Sequence, residues 1–146
     1  MLLGKKWKRG KTVDELVVGE KLQITEKIED KDLLLYLGLT NDNNPLYIQH
    51  DYASETKYEK PIVPSIMLNG LITSAISKHL PGPGSHIVEM RMTYPEPLYH
   101  YEIIDITLEI NDLSIERNEA DIKIQAVNEQ RKTVMEGVLK TIPPTI

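Results

Sequence analysis

The reactive side chain in the most distinctive sequence setting is the carboxylate of Asp42. It lies in the tract Leu39–Pro45, where four consecutive Asn and Asp residues precede a proline. A carboxylate can take a proton from water and so act as a general base. Asn and Asp side chains also bond to their own backbone and are common in turns. From the residues alone, a turn-forming role for Asp42 is favoured over a catalytic one.

The element with the clearest ends after this tract is a helix predicted over Ile66–His79. Pro64 precedes it, Ser65 is the expected N-cap, and the stretch Pro81–Gly84 stops it. Its residues are apolar on most sides, with small residues among them that let a sheet approach closely. A helix of this kind is usually buried, so we expect this one to lie in the core.

The second half of the chain alternates apolar and polar residues with the period of a strand. Four strands are predicted, over Ser85–Tyr94, Tyr101–Ile110, Ala120–Asn128 and Lys132–Ile142. The first half is expected to hold a short strand near Lys21–Thr25, a helix over Asp30–Leu37 and a helical piece around Asp51–Thr56. Sequential strands pair through hairpins, so the predicted fold class is α+β, an antiparallel sheet curled around one long helix.

The composition excludes several classes of protein. The chain has 146 residues, no cysteine, 17 basic and 22 acidic side chains, and a formal charge of -5. Thiolate catalysis and thiolate metal sites are therefore excluded, and generic nucleic-acid binding is disfavoured. No apolar stretch has the character of a secretory signal or the length of a membrane span. We expect one cytoplasmic domain over residues 1–146, with neither a nucleic acid nor a membrane as partner.

Residues 1–18 are expected to form a basic N-terminal arm and a lead-in to the domain. The basic side chains surround the only tryptophan, and they are Lys5, Lys6, Lys8, Arg9 and Lys11. Contact with ligand phosphates is one reading of this cluster. A solvated and partly mobile arm is favoured, because short charged termini are usually loose.

Four segments in order resemble the landmarks of the MaoC-like, R-specific enoyl-CoA hydratases. The segments are Thr40–Leu46 (TNDNNPL), Lys60–Val63 (KPIV), Leu80–Ser85 (LPGPGS) and Tyr94–Leu98 (YPEPL). At these places the family carries S/T-G-D-x-N-P-L-H, P-I-V-H-G at the opening of the central helix, L-P-G-x-G-S and F-x-x-P-V. The resemblance covers about residues 20–110 with similar gaps between the segments.

The resemblance implies a hot-dog fold, usually dimeric, that binds an acyl-CoA with its thioester at the start of the central helix. The implied reaction is reversible addition of water to a trans-2-enoyl-CoA, with no cofactor or metal beyond the CoA thioester substrate. A base takes a proton from water, and a backbone N–H at the helix start holds the enolate oxygen. By position, the implied catalytic residues are Asp42, Asn44 and Tyr47, and the implied substrate-binding residues are Pro64, Ser65, Thr73 and Gly84.

Three places depart from the family pattern. Tyr47 replaces the family histidine, and its phenol, with a reference pKa of about 10, donates hydrogen bonds but is a poor base at neutral pH. Pro64 and Ser65 replace histidine and glycine, so the Ser65 amide becomes the expected oxyanion donor on a restricted backbone. Asn41 replaces a glycine, and Asn accepts a left-handed backbone well.

The histidines elsewhere in the chain offer no obvious replacement for the missing imidazole. His50 follows Tyr47 by three residues and would share a face with it on a helical turn, but a structural role is favoured. His79 suits a partner for the dipole at the C-terminus of the central helix. His86 and His100 fall on predicted strands or their edges, and neither is assigned a role.

Three functions therefore compete. The leading hypothesis is an enoyl-CoA hydratase or 3-hydroxyacyl-CoA dehydratase, in which Asp42 activates water and Tyr47 orients it or donates a proton. The alternative is a hot-dog protein that binds acyl-CoA without hydrating it, acting as a sensor or as the non-catalytic partner of a hydratase. An acyl-CoA thioesterase shares the fold, but the N-P-L segment gives it no support. Tyr47 and Pro64 favour the binding protein, whereas Asp42, Asn44 and Thr73 favour the enzyme.

Overall fold

The structure, a computed structural model, describes residues 8–146, and its largest element is a five-stranded antiparallel sheet. The strands are β1 (Lys21–Lys27), β2 (His86–Thr93), β3 (Ile103–Ser114), β4 (Glu119–Val127) and β5 (Thr133–Ile142). Their order in the sheet is β1-β3-β4-β5-β2, so that β1 and β2 form the edges. The predicted α+β class and the five predicted strands are therefore confirmed.

Strand β3 is longer than the sequence predicts. The predicted strand ends at Ile110, but β3 continues through Asn111 and Asp112 and pairs with β4 as far as Ser114. The register shifts between Ile110 and Asp112, which marks a β-bulge. A bulge lets one polar residue stand outside the ladder while pairing resumes beyond it. Polar residues therefore did not end this strand.

One face of the sheet and one side of a long helix form the core. Buried and exposed residues alternate along β3 and β4, and the buried positions carry isoleucine, leucine and alanine. Against them lies α4 (Ser65–Lys78), whose Leu68, Ile72 and Ile76 are at most 2% exposed. Burial of such side chains contributes about 1.5 to 3 kcal/mol each. This packing fixes α4, and with it Ser65 at the helix start.

Helix α4 differs from its prediction in two respects. The N-cap is Pro64 with φ -56° and ψ 132°, and Ser65 is already the first helical residue. The helix is also buried on one side only within a single chain, because Ile66 is 55% exposed and Gly70 is exposed as well. The expectation of a helix buried all round is therefore wrong for the isolated chain. None of the helices within residues 8–146 has the length and apolar character needed to cross a membrane.

Three shorter helices connect β1 to α4. They are α1 (Asp30–Thr40), α2 (Pro45–Ile48) and α3 (His50–Ser54). Helix α1 carries no buried residue, and its Leu34, Leu35 and Leu39 are more than 65% exposed. These helices therefore lie over the outside of the core rather than within it. Their position leaves space between them and the loop before β3.

The described part of the N-terminal arm is held in place from Gly10 onward. The Gly10 amide donates to the Pro83 carbonyl at 3.2 Å, and the Lys11 amide donates to the Pro81 carbonyl at 2.8 Å. A Cβ on Gly10 would come within 2.6 Å of the Pro83 oxygen, so this contact requires glycine. Arg9 and Lys11 form ion pairs with Glu15 and Glu20. The prediction of a loose arm is therefore wrong for Arg9 and Lys11. Lys5 and Lys6 lie outside the described residues.

Candidate active site

The turn between α1 and α2 positions Asp42. Helix α1 ends at Thr40, and Asn41 follows in the left-handed region with φ 57°. The Asn41 amide donates to the Leu37 carbonyl at 2.8 Å, which closes the helix end, as is common for an Asn at this position. The chain then reverses, and Asp42 comes back toward the last turn of α1. Asn41 was predicted to accept a left-handed backbone, and it has that backbone in the structure.

Both carboxylate oxygens of Asp42 accept hydrogen bonds. The Tyr36 hydroxyl donates to Oδ2 at 2.8 Å, and the Asn44 amide donates to Oδ1 at 3.2 Å. Burial, followed by the hydrogen bond to Asp42, raises the pKa of the Tyr36 phenol above its usual value. Tyr36 therefore stays protonated at neutral pH and remains a donor. A half-buried carboxylate with one donor on each oxygen keeps lone pairs free for a water molecule.

Asn44 has a clear structural role. Its side-chain oxygen accepts a hydrogen bond from the Leu46 amide at 3.0 Å, which makes it the N-cap of α2. Pro45 occupies the first helical position, where its missing N–H costs nothing. This cap fixes the start of the helix that carries Tyr47. Asn44 thus positions Tyr47 through the backbone, and its own backbone N–H donates to Asp42.

Tyr47 lies in the wall of a pocket of about 540 Å³, which we call the Tyr47 pocket. Its apolar lining comes from Leu33, Leu34, Leu37, Ile48 and Pro61. Its polar lining comes from Asp30, Tyr47, His50, Lys60, Tyr99, His100 and Tyr101. An apolar cavity with a few convergent polar groups is the usual form of a small-molecule site. Asp42 itself does not line this pocket. Its hydrogen-bond donor Tyr36 lies on α1, between Leu34 and Leu37, which do line it.

Ser65 lies in the wall of a different pocket of about 490 Å³, which we call the Ser65 pocket. It is lined by Lys57, Tyr58, Ile62, Val63, Ser65, Leu68, Tyr94, Pro95, Glu96, Pro97, Leu98 and Tyr99. Ser65 is the first residue of α4, so its amide has no partner within the helix and lies at the positive end of the helix dipole. This is the geometry of an anion-stabilising site.

Tyr99 is the side chain common to both pockets. Its hydroxyl donates to the Tyr58 carbonyl at 2.7 Å, and the Lys60 ammonium lies 4.8 Å from the centre of its ring. Burial, with Glu59 and Glu102 nearby, raises the pKa of the Tyr99 phenol. Tyr99 is therefore a fixed, protonated side chain that both pockets share.

The remaining predicted site residues are not brought to Asp42 within one chain. The Thr73 hydroxyl donates to the Gly70 carbonyl of its own helix at 3.0 Å, and no hydrogen bond joins Thr73 to Asp42 within residues 8–146. Pro64 caps α4 and lines neither the Tyr47 pocket nor the Ser65 pocket. Gly84 has φ 94°, and a Cβ there would approach Pro144 to 2.8 Å, so that glycine serves the loop before β2.

Two residues of the site were missed in the sequence. Tyr36 reaches Asp42 only because the left-handed Asn41 reverses the chain, and no motif marks that contact. His100 lies 53 positions after Tyr47 in the sequence and yet lines the same pocket. His50 lines this pocket too, although α2 ends at Ile48 and the expected shared helical face is interrupted. Within residues 8–146 no group of three or more side chains suits a metal ion.

Known proteins similar to this chain agree with this architecture. No protein-family model matches the chain. An (R)-specific enoyl-CoA hydratase of Rhodospirillum rubrum is 25% identical over 104 residues, which cover 71% of this chain and 72% of that protein. A 3-hydroxybutyryl-CoA dehydratase of Methylorubrum extorquens is 25% identical over 107 residues, 73% of this chain and 68% of the relative. The structure of the R-hydratase PhaJ1 from Pseudomonas aeruginosa superposes with a TM-score of 0.84 at 26% identity, covering 92% and 86% of the two chains.

The sheet and α4 therefore form a hot-dog fold, as the sequence predicts. Within that fold, the chain resembles the (R)-specific enoyl-CoA hydratases in sequence and in structure. The identity of about 25% leaves room for local change.

Proposed function

We propose that this protein is an enoyl-CoA hydratase, which also catalyses the reverse dehydration of a 3-hydroxyacyl-CoA. The observation that carries the proposal is the carboxylate of Asp42, held by the Tyr36 hydroxyl at 2.8 Å on the turn that leads into α2, the helix that carries Tyr47. The named activities of the similar hydratase and dehydratase support it. Asp42 takes a proton from water while the water oxygen bonds to the β-carbon of the enoyl thioester.

The rest of the proposed reaction assigns roles to Ser65 and Tyr47. Electron density from the double bond moves to the thioester oxygen, and the Ser65 amide at the start of α4 stabilises the resulting enolate. The α-carbon then takes up a proton, so that one molecule of water has been added in total. Tyr47 orients the attacking water or donates that proton. No electrons are transferred to or from the substrate, and the reaction therefore needs no redox cofactor.

The two pockets suggest how an acyl-CoA would lie. The thioester would occupy the Ser65 pocket near the start of α4, and the acyl chain would pass Tyr99 into the more apolar Tyr47 pocket. Lys57 and Lys60 lie at these pockets and would favour an anionic CoA. We also propose that the active form is a homodimer, because α4 keeps an exposed side in the single chain.

A spectroscopic assay tests the proposal. The absorbance of the conjugated enoyl thioester disappears when a short trans-2-enoyl-CoA is hydrated. We expect the wild type to hydrate it and Asp42→Asn to lose at least 100-fold in kcat, since the amide cannot accept the proton. Asp51→Asn is the matched control, because Asp51 is exposed on α3 and should leave kcat unchanged.

The alternative is a protein that binds acyl-CoA without hydrating it. The observation in its favour is that Asp42 has no hydrogen bond to Tyr47 within residues 8–146 and lines neither of the two pockets. Activity that appears only in Tyr47→His would support this alternative. Absence of turnover in every variant and at every chain length would rule out the hydratase.

A further inference from the structure

The hydroxyl of Tyr94 joins two segments of the chain at the wall of the Ser65 pocket. Tyr94 directly follows β2 and lines this pocket, and its hydroxyl donates to the side-chain oxygen of Asn69 at 2.5 Å. Asn69 lies on α4 four residues after Ser65, so the two residues are one turn apart on the same face of the helix. The hydrogen bond therefore links the segment after β2 to the start of α4, next to the amide assigned to the enolate oxygen.

The Ser65 pocket lies between two stretches of the chain, within residues 57–68 and residues 94–99. The first stretch runs into α4, and Leu68 of that helix is 2% exposed in the core. Packing therefore fixes the wall that carries Ser65. The width of the pocket depends on how firmly the second stretch is held against this wall.

The second stretch has few backbone groups that could hold it. Pro95 and Pro97 have no backbone N–H to donate. Near the far end of the stretch, the Leu98 carbonyl accepts a hydrogen bond from the Val63 amide at 2.8 Å. At its near end, the hydrogen bond to α4 within residues 8–146 is the one that the Tyr94 hydroxyl donates. One side-chain contact therefore holds this end of the wall to the helix.

The fold does not depend on the hydroxyl group of Tyr94. The aromatic ring packs against the buried core, and the preceding residue, Thr93, is held by its pairing with Glu136 of β5. Phenylalanine at this position would keep the ring contacts and the strand pairing. The hydrogen bond to Asn69 can therefore be removed with the core left in place.

We propose that Tyr94 and Asn69 are positioning residues for the hydration reaction. Their hydrogen bond holds residues 94–98 against the start of α4, so that the thioester oxygen is kept within hydrogen-bond reach of the Ser65 amide. This inference rests on the proposed function, since it takes Ser65 as the donor to that oxygen. A displacement of about 1 Å in an active site can cost about 100-fold in rate, so the loss of this bond should be visible in kcat.

The infrared stretch of the bound thioester carbonyl tests the inference without relying on catalysis. The probe is a saturated acyl-CoA with carbon-13 at the thioester carbonyl, measured free and at saturation with protein. A hydrogen bond from the Ser65 amide lowers the stretching frequency. We expect the lowering with Tyr94→Phe to be about half of that with the wild type, because hydrogen bonds weaken steeply as their geometry departs from the optimum. Equal lowering in the two proteins would overturn the inference.

Hydration kinetics provide the second readout. Tyr94→Phe should lower kcat about tenfold and change KM less than about twofold, because the bond orients the thioester and adds little to its affinity. Asn69→Leu removes the acceptor and should cause the same loss, and the double variant should lose no more than either single variant. Tyr52→Phe is the control, since Tyr52 is half exposed on α3 and lines neither pocket.

Three kinetic or folding results would contradict the positioning role. Losses that multiply in the double variant would mean that the two side chains act separately. A change confined to KM would mean that they contribute to affinity alone. Failure of both Tyr94→Phe and Asn69→Leu to fold, judged from thermal unfolding, would mean that the bond serves the fold.

The outcomes separate this inference from the proposed function. A smaller carbonyl shift in Tyr94→Phe, without hydration of any trans-2-enoyl-CoA by the wild type, would overturn the hydratase and support the positioning role. Hydration with equal kcat in the wild type and Tyr94→Phe would support the hydratase and overturn the positioning role. Absence of a carbonyl shift in the wild type would mean that the thioester does not reach the Ser65 amide, and it would overturn the positioning role whether or not the protein hydrates its substrate.

Discussion

At the scale of single residues, the partner of Asp42 changes how the site is understood. The sequence directs attention to Tyr47, but the phenol that contacts the carboxylate is that of Tyr36. A hydrogen bond to a charged group contributes about 1.5 to 3 kcal/mol. Tyr36 therefore orients the carboxylate that the proposed reaction needs as a base, and it acts through Asp42 rather than on the substrate.

The variant Tyr36→Phe tests this role. It keeps the ring but removes the donor, so we expect kcat to fall about tenfold, with little change in KM and a fold that remains intact. Steady-state kinetics of hydration measures both parameters. Tyr52→Phe is the control, because Tyr52 is 50% exposed on α3 and should have no effect.

A double-mutant cycle distinguishes orientation of Asp42 from a general structural effect. If Tyr36 acts only through Asp42, Tyr36→Phe should not reduce the residual rate of Asp42→Asn further. A further tenfold loss in that background would show that Tyr36 acts independently of Asp42. A change in KM alone would contradict the proposed orientation as well.

At the scale of elements, the turn from α1 to α2 depends on one left-handed residue. Asn41 has φ 57°, a conformation that costs a residue with a β-branched side chain about 1 to 2 kcal/mol. We expect Asn41→Gly to keep both stability and activity, because glycine adopts this backbone freely. Asn41→Val should lower the free energy of unfolding by about 1 to 2 kcal/mol, measured by urea denaturation.

The same two variants test whether the turn from α1 to α2 is needed for activity. Since the reversal at Asn41 brings Asp42 back to Tyr36, the valine variant should also lose hydration activity beyond its loss of stability. The glycine variant serves as the control for removal of the Asn side chain. Wild-type activity in a folded Asn41→Val protein would show that the reversal is not needed to place Asp42.

The elements themselves were largely predictable from local patterns. Alternating apolar and polar residues identified the strands, and the positions of Gly, Pro and Asn predicted the helix ends to within a few residues. Local signals failed where the outcome depends on a neighbouring strand, as at the bulge that carries β3 past Ile110. They also failed at the start of α4, where Pro64 rather than Ser65 is the cap.

The sequence predicted residues of the site only where they lie within a recognisable motif. Asp42, Asn44 and Tyr47 lie in one contiguous segment, so the family resemblance located them together. The contacts of Tyr36 and His100 arise from chain reversal and from packing between distant loops, and such contacts leave no periodic or spacing signal. The separation of Tyr47 and Ser65 into two pockets that share Tyr99 likewise follows from tertiary structure alone.

At the scale of the whole molecule, the outward side of α4 is the feature that a single chain leaves unexplained. Ile66, Gly70, Thr73 and Ser77 recur at helical spacing along this side, and each is exposed or only half-buried. A Cβ on Gly70 would meet nothing within 4 Å, so the close approach that this glycine permits is not used within one chain. A second copy of α4 packed along this side would use it.

Measurement of the mass in solution by light scattering tests the proposed homodimer. We expect about twice the chain mass of 16.7 kDa for the wild type, and the monomer mass for Ile66→Glu, because a carboxylate would be buried against the second copy. Ile115→Glu is the matched control: Ile115 is 71% exposed in the turn between β3 and β4 and should leave the dimer intact. A monomeric wild type, or a dimeric Ile66→Glu protein, would mean that this side of α4 does not form the interface.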